Sequence, residues 1–276
     1  MIGGESRAGA APLAPAPIRA RRFFAVVGVI ATAVSAFAAE IPRAERRSGY
    51  DFMGRETRAM QDDDTANPGL LWVLEGGALW NRKAGVAGRS CADCHGDAGA
   101  SMRGAAARHP AFDAARGRPV SLEQRVNLCR TDRQQAPSLA WESRELLALS
   151  AYVARQSRGL PIEIADDRRA RPFLDAGRAT FDRRQGQLDL ACSQCHDANW
   201  GRQLAGNVIP QAHPTGYPLY RLEWQGLGSL QRRLRNCLVG IRAEPYEYGA
   251  PEFVDLKLYL MWRARGMTLE APAVRP

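Results

Sequence analysis

Cys91-Ala92-Asp93-Cys94-His95 and Cys192-Ser193-Gln194-Cys195-His196 decide how this 276-residue sequence is read. Both are C-x-x-C-H, the attachment signature of c-type haem. Two thiols one helical turn apart add across the two porphyrin vinyl groups, and the histidine that follows is presented to the iron as its proximal ligand. A structural zinc site would use four ligands, and a thioredoxin-type redox pair has no need of a histidine after its second cysteine. The six cysteines of an exported chain would otherwise read as three disulfides, and it is the spacing that argues against that.

Working outward, the two motifs sit in an internal repeat. Gly76-x3-Trp80-Asn81-Arg82-Lys83-Ala84-Gly85 stands to Cys91 as Gly177-x3-Phe181-Asp182-Arg183-Arg184-Gln185-Gly186 stands to Cys192. Further on, Ser121-Leu122-x-x-Arg125-Val126-x-x-Cys129 matches Ser229-Leu230-x-x-Arg233-Leu234-x-x-Cys237. The last match pairs Glu145 to Gly159 with Glu252 to Gly266, apolar residues at helical spacing ending on a C-cap glycine. Each repeat reads as a helix leading into the haem motif, a long loop and a closing amphipathic helix. The expected fold is all-α: two tandem class I cytochrome c-like domains, each with one covalently bound haem c. The boundary falls in the linker around Pro161 and Asp166-Asp167-Arg168-Arg169, so that 39–165 hold an N-terminal extension and the first domain and 166–276 the second.

Residues 1–38 read as an export signal. Arg19, Arg21 and Arg22 precede an apolar run from Phe23 to Phe37, closed by Ala36-Phe37-Ala38 as a small-x-small cleavage site. The run is shorter than the ~20 apolar residues of a spanning helix; a retained anchor is the alternative. The Arg21-Arg22 doublet leaves Sec and twin-arginine export both open. Cleavage makes the protein periplasmic, without stable membrane association. The segment takes away four arginines and one glutamate, three of the nine net positive charges. The remaining basicity is scattered arginine with only Lys83 and Lys257 as lysines, and no helix-turn-helix, finger or RNA-binding signature accompanies it, which argues against nucleic acid as a partner. With 45% hydrophobic and 24% charged residues the chain is globular, not disordered, collagenous or multi-span.

The sixth iron ligand sets the chemistry. An ordinary electron carrier places a methionine in the loop before the closing helix. Here Cys129 and Cys237 occupy that loop, while Met102 follows His95 too closely and Met261 and Met267 lie in or after the closing helix. The axial pairs are therefore read as His95 with Cys129 and His196 with Cys237. Two alternatives stay open: bis-histidine ligation through His109 and His213, each followed by proline, and a Cys129–Cys237 disulfide between the halves. Arg125 and Arg130 near Cys129, and Arg233, Arg235 and Arg242 near Cys237, would favour thiolates. Arg233 stands one turn before Cys237 and could hold an anion beside the sulfur; Arg235 and Arg242 also read as solvated surface arginines.

Tyr217-Pro218-x-Tyr220-Arg221-Leu222-x-Trp224-Gln225, Gly228-Ser229-Leu230, Arg233-x3-Cys237 and the tail Glu270-Ala271-Pro272-Ala273-Val274-Arg275 resemble the SoxA cytochromes of bacterial thiosulfate oxidation. The resemblance spans nearly the whole chain after the signal. It implies the dihaem form, with Cys237 as a persulfide-bearing catalytic ligand of the second haem and Arg233 as a substrate-binding residue. It further implies a heterodimer with a small monohaem SoxX-type cytochrome and oxidative coupling of thiosulfate to a cysteine of a SoxYZ-type carrier, an L-cysteine S-thiosulfotransferase reaction with cytochrome c as electron acceptor. The rival readings are a dihaem electron carrier without a substrate, a self-contained thiosulfate dehydrogenase and a dihaem peroxidase.

Overall fold

Two crossed helix pairs organise residues 40–276, which the computed structural model describes together with Met1, Gly3, Gly4 and Gly9. The signal-peptide reading falls almost wholly on residues outside those described. The helices are α1 (Arg55–Asp62), α2 (Gly69–Asn81), α3 (Ala92–His95), α4 (Ala98–Ser101), α5 (Leu122–Cys129), α6 (Arg144–Arg155), α7 (Arg171–Asp182), α8 (Cys192–His196), α9 (Leu230–Gly240) and α10 (Pro251–Arg263). None of the described helices is long and apolar enough to cross a membrane.

α2 packs on α6 and α7 on α10, each pair touching at a glycine that nothing larger could replace. A Cβ on Gly76 would lie 2.2 Å from the Ala148 carbonyl oxygen, and one on Gly177 would lie 2.0 Å from that of Asp255. Tyr152 and Tyr259 flank the two crossings in the same way. Ser121 and Ser229 both cap their helices, accepting from Gln124 N and Arg232 N, because a short hydroxyl side chain satisfies a first-turn donor. Gly85 (φ 66°) and Gly186 (φ 70°) adopt the left-handed backbone that lets the loop before each haem motif press on the chain leaving α5 or α9.

The fold is mostly helical, but the all-α expectation omits three small sheets. Strands β1 (Ala111–Asp113) and β2 (Arg118–Val120) form an antiparallel hairpin, as do β3 (Gln203–Leu204) and β4 (Asn207–Val208). β5 (Leu219–Arg221) pairs antiparallel with β6 (Gly226–Gly228) and parallel with β7 (Val274–Arg275), placing the C-terminal tail on the second half. These strands are two or three residues long, too short for an alternating pattern to stand out from loop.

The N-terminal segment joins the two halves as well as extending the first. Arg47 N donates to Gln211 Oε1 (2.6 Å), Ser48 Oγ to Glu270 Oε1 (2.5 Å) and Asn67 Nδ2 to the Pro272 carbonyl (3.0 Å). The linker lies on the same tail, with Gly159 N donating to Leu269 O and Ile162 N to Met267 O. Trp80, Leu122 and Val153 share a core with Met261 and Leu269, and residues 40–276 belong to one compact unit. Lys257 on α10 donates to both Glu123 carboxylate oxygens on α5 at 2.9 Å, with side chains only 9% and 5% exposed.

Candidate haem and anion site

In the first half α3 holds Cys91, Cys94 and His95 in a single turn, closed by a Cys91 O to His95 N bond of 3.0 Å. Ser90 and Asp93 exchange hydrogen bonds of 2.8 and 3.0 Å across its start. Trp80, anchored to the Gly96 carbonyl, lies 5.7 Å ring to ring from the exposed His95. Trp80, Cys91, Cys94 and His95 line a cleft open to solvent, which they share with Cys129, at the end of α5, and with Met102 and His109. Burial pushes the Cys129 thiol up, and Arg125 and Arg133 only partly offset it. Arg125 thus acts in the expected direction, but burial outweighs it and the net shift is upward. Arg125 Nη2 is already given to Asp113 Oδ2 at 2.6 Å, and Arg130 Nε to the Pro137 carbonyl at 3.2 Å.

The second half buries its histidine more deeply. His196 Nδ1 bonds the Pro210 carbonyl at 2.6 Å, which leaves Nε2 as the free ligating nitrogen. Burial lowers its pKa against that hydrogen bond, so the ring is held neutral, as an iron ligand requires. Next to it Asp197 takes both Arg263 Nη atoms, at 2.5 and 3.2 Å, with both side chains nearly sealed from water. This α8–α10 clamp was not foreseen from the sequence. Burial, then the charge of Cys237, pushes the Cys192 thiol up to about 12; Cys91 is raised in the same way by burial and Cys129. Each distal cysteine thus lies within electrostatic reach of its own attachment motif. All six cysteines are free thiols, so the inter-half disulfide does not form.

The bis-histidine alternative loses its symmetry. His109 does line the first cleft, its Nδ1 on the Ala105 carbonyl at 2.7 Å. His213 instead turns its Nδ1 to the Arg47 carbonyl at 2.9 Å, on the N-terminal segment. The residue preceding Cys237 by the interval at which His109 precedes Cys129 is Tyr217, not His213.

The α9 arginines separate by their partners. Arg232 lies over Trp224 (4.4 Å), and Arg235 lies over Tyr248 (4.8 Å) and donates to the Tyr246 carbonyl. Arg233 has no ion pair or side-chain hydrogen bond among the described residues, and its charge acts on His196, Tyr217 and Arg221. It shares a face of α9 with Cys237, one turn on. Sequence reasoning quoted Tyr217 and Arg221 but gave them no role.

The donor chemistry fits covalent haem. Each half offers two thiols and an imidazole on one turn, with a further cysteine from the α5 or α9 helix within electrostatic reach of them. Residues 75–162 match the family model described as SoxA/TsdA, cytochrome c domain. The chain is 37% identical over 231 residues to the L-cysteine S-thiosulfotransferase subunit SoxA of Rhodovulum sulfidophilum, covering 84% of this chain and 80% of that one. It is 35% identical over 235 residues to the subunit of the same name from Pseudaminobacter salicylatoxidans, covering 85% and 82%. The crystal structure of SoxXA from P. pantotrophus superposes with a TM-score of 0.81 at 32% identity, covering 84% of this chain and 87% of that one. Site and fold together define a c-type cytochrome that binds haem covalently. Within that class, the chain belongs to the SoxA family.

Proposed function

We propose that this chain is the dihaem catalytic subunit of a periplasmic L-cysteine S-thiosulfotransferase, built from two tandem cytochrome c domains that arose by duplication. The matching helix crossings at Gly76 and Gly177 and the matching caps at Ser121 and Ser229 support the duplication. Its partners are a SoxX-type monohaem cytochrome and a SoxYZ-type sulfur carrier. Cys91 and Cys94 would hold one haem c, with His95 and Cys129 as its iron ligands; Cys192 and Cys195 would hold the other, with His196 and Cys237.

In the net reaction the sulfane sulfur of thiosulfate bonds to the carrier cysteine sulfur, whose S–H proton is released, and two electrons are removed. The haems supply one-electron acceptors through which those electrons leave to the partner cytochrome. Arg233 binds the thiosulfate dianion, and Cys237, as a persulfide, presents the sulfur at which the thiosulfate is held during transfer. The observation that carries this reading is Arg233, left unpaired beside Cys237 while the arginines around it are engaged. The exported, matured protein is expected to show two haem additions by intact mass and a cyanide-labile sulfur on Cys237. Two haems with an unmodified Cys237, and undiminished thiosulfate turnover in Cys237→Ala, would overturn the catalytic assignment.

A further inference from the structure

The two halves place opposite charges at corresponding positions. The β1–β2 and β5–β6 hairpins have the same register, Asp113 against Arg118 in one and Arg221 against Gly226 in the other. Asp113 precedes Arg125 and Cys129 by the intervals at which Arg221 precedes Arg233 and Cys237. In the first half Asp113, its side chain 9% exposed, neutralises Arg125 at 2.6 Å. That hydrogen bond holds the carboxyl below the ordinary aspartate range. In the second half the same strand end carries a cation, and the place of an ion pair is taken by two arginines whose charges act on each other.

Arg221 is poorly compensated there. Its side chain is 12% exposed, and its carboxylate partner, Glu223 at 3.2 Å, is itself 60% exposed and so worth little. Its Nε is buried without a hydrogen-bond partner. Burial lowers its pKa first, and Arg233 is the strongest neighbouring charge lowering it further, while Tyr217 and Cys237 act the other way. A largely covered guanidinium whose one carboxylate partner is exposed, with a second, unpaired arginine acting on it, is retained at a cost unless an anion joins them.

We infer that Arg221 is a second substrate-anion contact, so that the sulfonate end of thiosulfate is held between Arg221 and Arg233 beside Cys237. The inference rests on the function proposed above and deepens it. One cation matches half the charge of a dianion; two match it fully, and two forks fix its orientation. In the first half Asp113 stands in the place of Arg221 and pairs Arg125, so the counterpart of this arginine pair is absent there.

The test uses the assembled holo-complex with its partner cytochrome, comparing Arg221→Met and Arg221→Asp in thiosulfate coupling to the carrier. For Arg221→Met the KM for thiosulfate is expected to rise roughly ten- to hundredfold, the loss of one charged hydrogen bond, with kcat within a few-fold of wild type. Arg221→Asp rebuilds the pair seen in the first half, so it is expected to fold and load haem normally while raising KM further by engaging Arg233. An unchanged KM in both variants overturns the inference. So does a shifted potential of the second haem with unchanged KM, which assigns Arg221 to a haem carboxylate. Arg233→Gln and Cys237→Ala, run alongside, separate the two readings. If they retain full turnover the proposed function fails; if they lose it while Arg221 variants keep wild-type KM, only the role of Arg221 fails.

Discussion

Replacing Lys257 with methionine tests the joint between the halves. Lys257 is hydrogen-bonded to both oxygens of Glu123 at 2.9 Å, and neither side chain is more than 9% exposed. The variant leaves a buried carboxylate without its counter-charge, which costs about 3–5 kcal/mol. At about 2–4 °C per kcal/mol for a unit of this size, the melting temperature of the holoprotein should fall by about 6–20 °C. The double variant Glu123→Leu with Lys257→Met should recover most of that, because two matched apolar groups escape the desolvation cost. The pH dependence carries a sign. Burial raises the Glu123 pKa, but the charge of Lys257 and hydrogen bonds with Lys257 and Ser121 outweigh it, holding the group below the ordinary glutamate range. Its contribution is therefore present above the unfolded pKa of about 4.3 and is lost as pH falls through the lower folded pKa. In Lys257→Met burial, the largest influence, is opposed only by the Ser121 and backbone hydrogen bonds, so the pKa rises above its wild-type position and the gap between variant and wild type should narrow on acidification. Melting curves followed by near-UV circular dichroism between pH 4 and 7 measure this. A single variant within 1 kcal/mol of wild type, or a double variant no more stable than the single, would refute the reasoning.

Gly177→Ala should destabilise the second half by at least about 1–3 kcal/mol, since its Cβ would enter the Asp255 carbonyl at 2.0 Å and force α7 from α10; an unchanged melting temperature would show that the crossing yields freely. His213 should contribute to acid sensitivity: burial lowers its pKa to about 4, so the unfolded chain binds the extra proton between pH 6.5 and 4 and stability drains away over that window. His213→Gln should flatten this limb, and an identical acid profile would show that the ring does not titrate with unfolding.

What could be read from the sequence was whatever depends on intervals along the chain. The haem motifs need only a helical turn, and caps such as Ser121 and Ser229 need only a residue and the donors that follow it. Tertiary partners are a different matter. The one-turn interval to Cys237 singled out Arg233 among the arginines of this short helix; what the sequence did not show is that Trp224 and the Tyr246–Tyr248 loop return beside Arg232 and Arg235 and leave Arg233 without a partner. Arg125 and Arg233 occupy matching places, and their difference lies in a three-residue strand too short to be seen in advance.

The same comparison explains why two similar haem sites need not do the same chemistry. A cysteine stands at the matching place in both halves, so on the proposed function a sulfur ligand by itself does not make a site reactive toward an anion. The first half pairs its Arg125 with Asp113, so that arginine is already engaged and not free to meet an anion beside Cys129. The second half removes that carboxylate and adds Arg221, so the field beside Cys237 attracts an anion only when it is bound in place. Catalysis confined to one half then requires no change in the haem motif, the cap or the distal ligand. A reversal of charge at one strand end is enough, and Arg221→Asp, which would make the second half resemble the first in this respect, should remove substrate binding while leaving its haem attached.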